Sequence, residues 1–210
     1  VLLHPAAAMI LASKEIHRAA DLTKEVFKAL RRAFAENDSK AISEAEKKCK
    51  IVAQINDDVV SYISGLFAKG GLTEEQSAQT AGLMFVLNDI SRIGQRCSDM
   101  IEVARASVEG KMGFSREAVE ELSETFILSE KMFETVITAL ENGDNNLAKE
   151  VMEYRTELRS LSKKCNKKHI KRLKKNNCKP ELTNPFANVL HIMEKIGDEC
   201  GSIAEAVMEN

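Results

Sequence analysis

Leu87-Asn-Asp-Ile-Ser-Arg-Ile-Gly-Gln-Arg-Cys97 returns 103 residues later as Leu190-His-Ile-Met-Glu-Lys-Ile-Gly-Asp-Glu-Cys200. Leucine, isoleucine, glycine and cysteine coincide between the two windows. A second window agrees at an offset of 106: Phe27 to Asp38 lies over Phe133 to Asp144, setting Asn37-Asp38 against Gly143-Asp144 where a helix should break. Both windows carry apolar residues at steps of three and four, the period of a helix buried along one stripe. A chain that repeats such a pattern over about a hundred residues reads as a duplicated helical unit.

Working outward, each half resolves into three helices. From Met9 the positions Ala12, Ile16, Ala19, Thr23, Val26, Leu30 and Ala33 form a seam that should run to about Glu36. Asn37-Asp38-Ser39 supplies a turn and an N-cap, and Val52, Ile55, Val59, Tyr62 and Leu66 mark the second helix. Gly70-Gly71 stops it, and Thr73 with Gln76 makes a capping box for a third helix bearing Leu83, Leu87, Ile90, Ile93, Cys97, Met100 and Ala104. Gly110 and Gly113 close this half.

Ser115 caps the fourth helix, with Val119, Leu122, Phe126, Phe133, Ile137 and Leu140 on its apolar face. The fifth carries Leu147, Val151, Tyr154, Leu158, Leu161 and Cys165 and ends near Asn176-Asn177. Pro180 and Pro185 frame the approach to the sixth, with Val189, Met193, Ile196, Cys200, Ile203 and Val207. The expected fold is all-α, a tandem pair of three-helix bundles divided as 1–112 and 113–210. Gly94 and Gly197 stand mid-helix, where glycine costs about 1 kcal/mol relative to alanine, so a close helix approach or backbone room near an ion should offset each.

Composition agrees with helices. The 210 residues include only 3 Pro and 10 Gly, too little turn punctuation for a sheet protein of this size. A net charge of -2 gives no global field toward nucleic acid or membrane. The longest apolar run, Pro5 to Ala12, is about half a bilayer span. Five cysteines, Cys49, Cys97, Cys165, Cys178 and Cys200, form no CxxC pair, and their odd number suits a reducing compartment. The chain opens without methionine or a signal peptide, giving the expectation that it is cut from something longer.

Two places could bind. Glu194 and Asp198, four residues apart on a helix, project from one face and form the candidate metal site for a divalent or iron ion; the alternative is a solvated or lysine-paired couple. Their first-half equivalents, Ser91 and Gln95, carry no charge. The Glu-x-x-His constellation of carboxylate iron enzymes is missing, and His191 precedes Glu194 in reversed order only. The second place is a basic run with eight Lys or Arg in thirteen positions: Lys163, Lys164, Lys167, Lys168, Lys171, Arg172, Lys174 and Lys175. It could hold an anion or anionic lipid headgroups, or simply complement the helix dipole. Without an aromatic in the run to stack on bases, and with the rest of the chain acidic, nucleic acid is not the expected partner. No nucleophile triad, phosphate loop or zinc pattern appears, so the reading is not an enzyme.

Glu194-Lys-Ile-Gly-Asp-Glu-Cys-Gly-Ser-Ile-Ala-Glu205 resembles the Glu-Arg-Ile-Gly-Asp-His-x-x-Asn-Ile-Ala signature of PhoU domains, which are tandem three-helix bundles. His169-Ile-Lys-Arg-Leu173, Cys178-Lys-Pro-Glu181 and the opening Pro5-to-Ile16 stretch look like the C-terminal cytosolic PhoU-like domain of bacterial sodium/phosphate cotransporters. The resemblance implies a regulatory module in phosphate uptake at the cytoplasmic face of the membrane. Its implied partners are the membrane domain of a parent transporter and a second copy. A free-standing regulator that binds a transporter or sensor kinase is the alternative. A carboxylate metal-binding helical protein is the third reading. The resemblance implies that some members hold metal through Glu/Asp-x-x-x-Asp motifs; here only Glu194 and Asp198 match, while Glu199 replaces the histidine and Ser202 the asparagine.

Overall fold

The computed structural model describes residues 4–109, 113–177 and 179–209. Among these residues there are six long helices: α1 (Pro5–Glu36), α2 (Ser39–Lys69), α3 (Glu74–Glu109), α4 (Arg116–Asn142), α5 (Asn145–Lys174) and α6 (Thr183–Glu209). One 3-10 turn, Pro180–Leu182, leads into α6. No described helix is long and apolar enough to cross a membrane. The expected all-α pair of three-helix units is the observed architecture.

The ends of the helices show why the repeat reads so clearly. Asn37 after α1 and Gly143 after α4 both take the left-handed conformation, at φ 51° and 60°. Asp38 and Asp144 then cap α2 and α5, each accepting from the backbone N–H two residues on. The Thr73/Gln76 capping box forms in both directions, at 3.1 Å each way. Ser115 accepts from Ala118 N. Helix α1 starts earlier than the Met9 expectation, because His4 caps it and Pro5 fits the first turn.

Every seam residue expected on α1 is buried. On α2 the buried residue is Ile63 rather than Tyr62, and on α4 Ala118 is buried where Val119 is half-exposed. Both are one-step slips in phase, at sites where neighbouring positions satisfy the same three-and-four spacing. The α3 positions Leu87, Ile90, Ile93, Cys97, Met100 and Ala104 and their α6 counterparts Leu190, Met193, Ile196, Cys200, Ile203 and Val207 are all buried.

These residues belong to one contiguous core, joined across the halves by α1 against α4 and α3 against α6. Phe27 meets its own repeat counterpart Phe133 at 5.6 Å between ring centroids, so the two units touch through equivalent residues. Toward the Arg116 end of α4, Phe34, Phe126, Phe114 and Phe186 extend the aromatic contacts.

Gly197 and Gly94 part company. A Cβ on Gly197 would stand 2.9 Å from Leu158 Cδ2, so the buried Leu158 side chain would have to shift; at Gly94 the nearest atom, Val52 Cγ1, is 3.7 Å away and leaves room. Close packing therefore explains only the second-half glycine.

Candidate functional site

Helices α3 and α6 cross between the halves, and their seam carries the most perturbed acid of the protein. Asp89 is 1% exposed, although its repeat counterpart is Ile192. Ser202 Oγ donates to Asp89 Oδ2 at 3.3 Å, Glu199 hydrogen-bonds the same carboxyl, and Arg92 stands 3.7 Å from Asp89 and 3.9 Å from Glu199. Burial first, then the Glu199 carboxylate, pushes Asp89 up to about 6. Spacing along one helix does not single Asp89 out. The signal that could have found it is an aspartate where the repeat places isoleucine.

The structure keeps Glu194 and Asp198 on α6 but gives them different company. Asp198 Oδ1 accepts from Arg155 Nε at 3.1 Å and Arg159 Nη2 at 2.9 Å, both from α5. Glu194 instead borders a cavity of about 170 Å³ beside Lys163, Asn166 and His191. A cation bridging the two carboxylates would face two guanidinium groups. Among the described residues, no group of three or more His, Cys, Asp or Glu converges as metal ligands. A divalent or iron ion held by Glu194 and Asp198 would have to displace Arg155 and Arg159 from Asp198.

The basic run splits in two. Its seven lysines are exposed. Arg172 is buried and forks onto Glu121 of α4 at 2.6 and 2.8 Å, with its guanidinium 5.7 Å from the Phe186 ring. Arg172 is thus a correction to the headgroup patch: it ties α5 to α4. His169, also buried, stacks on Phe186 at 4.3 Å. Lys168, Lys171 and Lys175 line a cleft of about 440 Å³ opposite Glu117, Glu120, Glu121 and Glu124, so acids face this part of the run. Lys171, Arg172 and Lys174 also occupy the last turn of α5, where cations complement the dipole.

Cys49, Cys97, Cys165 and Cys200 are free thiols, and Cys178 lies outside the described residues. Burial raises Cys49 and Cys165 to about 11, which keeps them protonated and unreactive at neutral pH. At the Pro5 end, a largely apolar cleft of about 940 Å³ opens between the first turns of α1 and α3 and the last turns of α4 and α6.

The doubled helices, the single core shared across the halves, and polar groups engaged in helix-to-helix ion pairs define a protein of paired three-helix bundles. The PhoU domain pattern matches residues 9–104 and 122–207, once in each half. The chain belongs to the PhoU domain family. The boundary expected between 112 and 113 falls in the stretch between the two matches, and residue 112 lies outside the described residues.

A "phosphate-specific transport system accessory protein PhoU homolog 1" from Thermotoga maritima is 20% identical over 200 residues, covering 95% of this chain and 81% of that protein. The crystal structure of PhoU from Pseudomonas aeruginosa superposes with a TM-score of 0.88 at 17% identity, covering 98% of this chain and 97% of that one. The phosphate transport system regulatory protein PhoU from Streptococcus pneumoniae gives 0.82 at 14% identity, covering 97% and 95%. These structural matches bear on fold.

Proposed function

We propose that the protein is a regulator of phosphate uptake that works by contact with a transporter at the cytoplasmic face of the membrane, not by catalysis. The observation that carries this is the twofold PhoU match over nearly the whole chain. The relative from Thermotoga maritima is named as an accessory protein of phosphate-specific transport, and the matches span most of each relative's length. That relative's name supports reading this chain as an accessory subunit of phosphate uptake. Regulation follows if the bundle pair contacts one transporter conformation better than another and so shifts their populations.

The test is phosphate uptake in cells whose coding segment for residues 1–210 is removed, at high and low external phosphate. Regulation predicts loss of the phosphate response, restored when residues 1–210 are supplied in trans. Rescue only when the segment is joined to a sodium-dependent transporter, with uptake scaling with sodium, would favour the fused reading. Unchanged uptake would refute both.

A further inference from the structure

We propose that the cleft at the Pro5 end of the bundle pair is a docking groove for an amphipathic helix whose apolar face is flanked by lysine or arginine. This names the partner chemistry of the regulatory reading above and rests on it only for the helix's source. Four helices form the walls, and the cleft of about 940 Å³ runs between them. Ile10 and Phe85 sit in it at 59% and 46% exposure. Two large apolar side chains left in water beside a groove are what an entering apolar face would cover.

Charge selects which helix enters. Among the described lining residues the charged groups are Glu141 and Glu209, with His17 held to Glu141 at 2.8 Å, and neither lysine nor arginine is present. Both members of the His17–Glu141 pair are partly open to water, so a competing cation can reach the carboxylate. The basic run of α5 lies at the opposite end of that helix and does not shield this rim. An acidic rim around an apolar floor favours a partner with basic edges and disfavours one with acidic edges. Cytoplasmic segments of membrane transporters carry an excess of Lys and Arg, which makes a short amphipathic helix there a source of the right sign.

The test uses the full 210-residue chain and two labelled peptides of about 18 residues, five helical turns, with the same leucine stripe flanked by lysine in one and glutamate in the other. Fluorescence anisotropy should show the lysine peptide binding at least ~10-fold more tightly than the glutamate peptide. Phe85→Glu should weaken that binding by ~10-fold or more and Glu141→Lys by several-fold, while Glu120→Lys, on the far end of α4, leaves it unchanged. Phe85 is exposed, so its variant should keep the wild-type circular dichroism melt; Ile10→Glu repeats the test on a second wall.

Equal binding of both peptides, or unchanged binding by Phe85→Glu and Ile10→Glu, would overturn the proposal. So would a wild-type dimer that Phe85→Glu converts to monomer in sedimentation, because the occupant would then be a second copy. In the uptake assay, failure of the wild-type chain to restore regulation strikes the regulatory reading. Full restoration by Phe85→Glu alongside wild type strikes the groove alone.

Discussion

Replacing Asp89 by asparagine should stabilise the protein at neutral pH and leave it unchanged in acid. The carboxyl is buried between α3 and α6 against Glu199, and its pKa rises from the usual 3.8 to about 6. Proton binding by Asp89 therefore stabilises the native state in full below about pH 4, and that stabilisation is lost as pH rises through about 6. Asparagine imitates the protonated acid at every pH and can donate to Glu199. A carboxyl moved from 3.8 to about 6 corresponds to about 3 kcal/mol, the gain expected above pH 6.

For a chain of this size that gain is worth about 6–12 °C in Tm. Urea unfolding of both proteins at pH 4, 5, 6, 7 and 8 measures it: the difference should grow between pH 4 and 6 and then level. Glu199→Gln should relieve the same repulsion, so the double variant should gain less than the sum of the two. An Asp89→Asn protein that is no more stable than wild type at pH 8, or whose advantage is the same at pH 4, would refute the account.

Arg172→Met should destabilise by about 3–5 kcal/mol in denaturant titration, because it strands the buried Glu121 carboxylate, and Glu121→Leu in the same chain should recover much of the loss. Lys164→Ala and Lys167→Ala, on the exposed side of the same run, should stay within about 0.5 kcal/mol of wild type. Gly94→Ala should raise stability by up to about 1 kcal/mol through helix propensity, whereas Gly197→Ala should cancel or reverse that gain by pressing on buried Leu158, as thermal melts will show. Manganese titrated calorimetrically should bind weakly to wild type, because Arg155 and Arg159 occupy Asp198, and more tightly to the Arg155→Gln/Arg159→Gln double variant.

The parts of this protein legible in its sequence are those set by local chemistry. The helix breaks at Asn37-Asp38 and Gly143-Asp144, the Thr73–Gln76 box and the seam of α1 follow from neighbours within one or two helical turns, so single-chain spacing finds them. The polar contacts depend on partners far away in the chain. Asp198 reads as half of a metal pair because Glu194 is four residues away, yet its ionic partners stand 39 and 43 residues earlier on another helix. Arg172 reads as one cation among eight because nothing in the run marks Glu121, 51 residues earlier, as its mate. Helical periodicity reports which side of a helix faces inward; it does not report what waits there.

Duplication explains where the two halves agree and where they part. Positions 103 residues apart on α3 and α6 feed one shared core, so a large change at either would leave a cavity or a clash in both halves at once. Polar positions have no such tie, and there the repeat breaks: Asp89 faces isoleucine in the alignment, and Ser91 and Gln95 stand where α6 has Glu194 and Asp198. Since α3 and α6 pack across the halves, Asp89 with Glu199 and Arg92 gives the seam between the units an electrostatic character that neither unit has alone, whereas Asp198 turns to α5. The shared core meanwhile holds the ends of α1, α3, α4 and α6 in fixed relation, so the groove they frame meets a partner as one preformed surface and spends little of the binding energy on ordering itself.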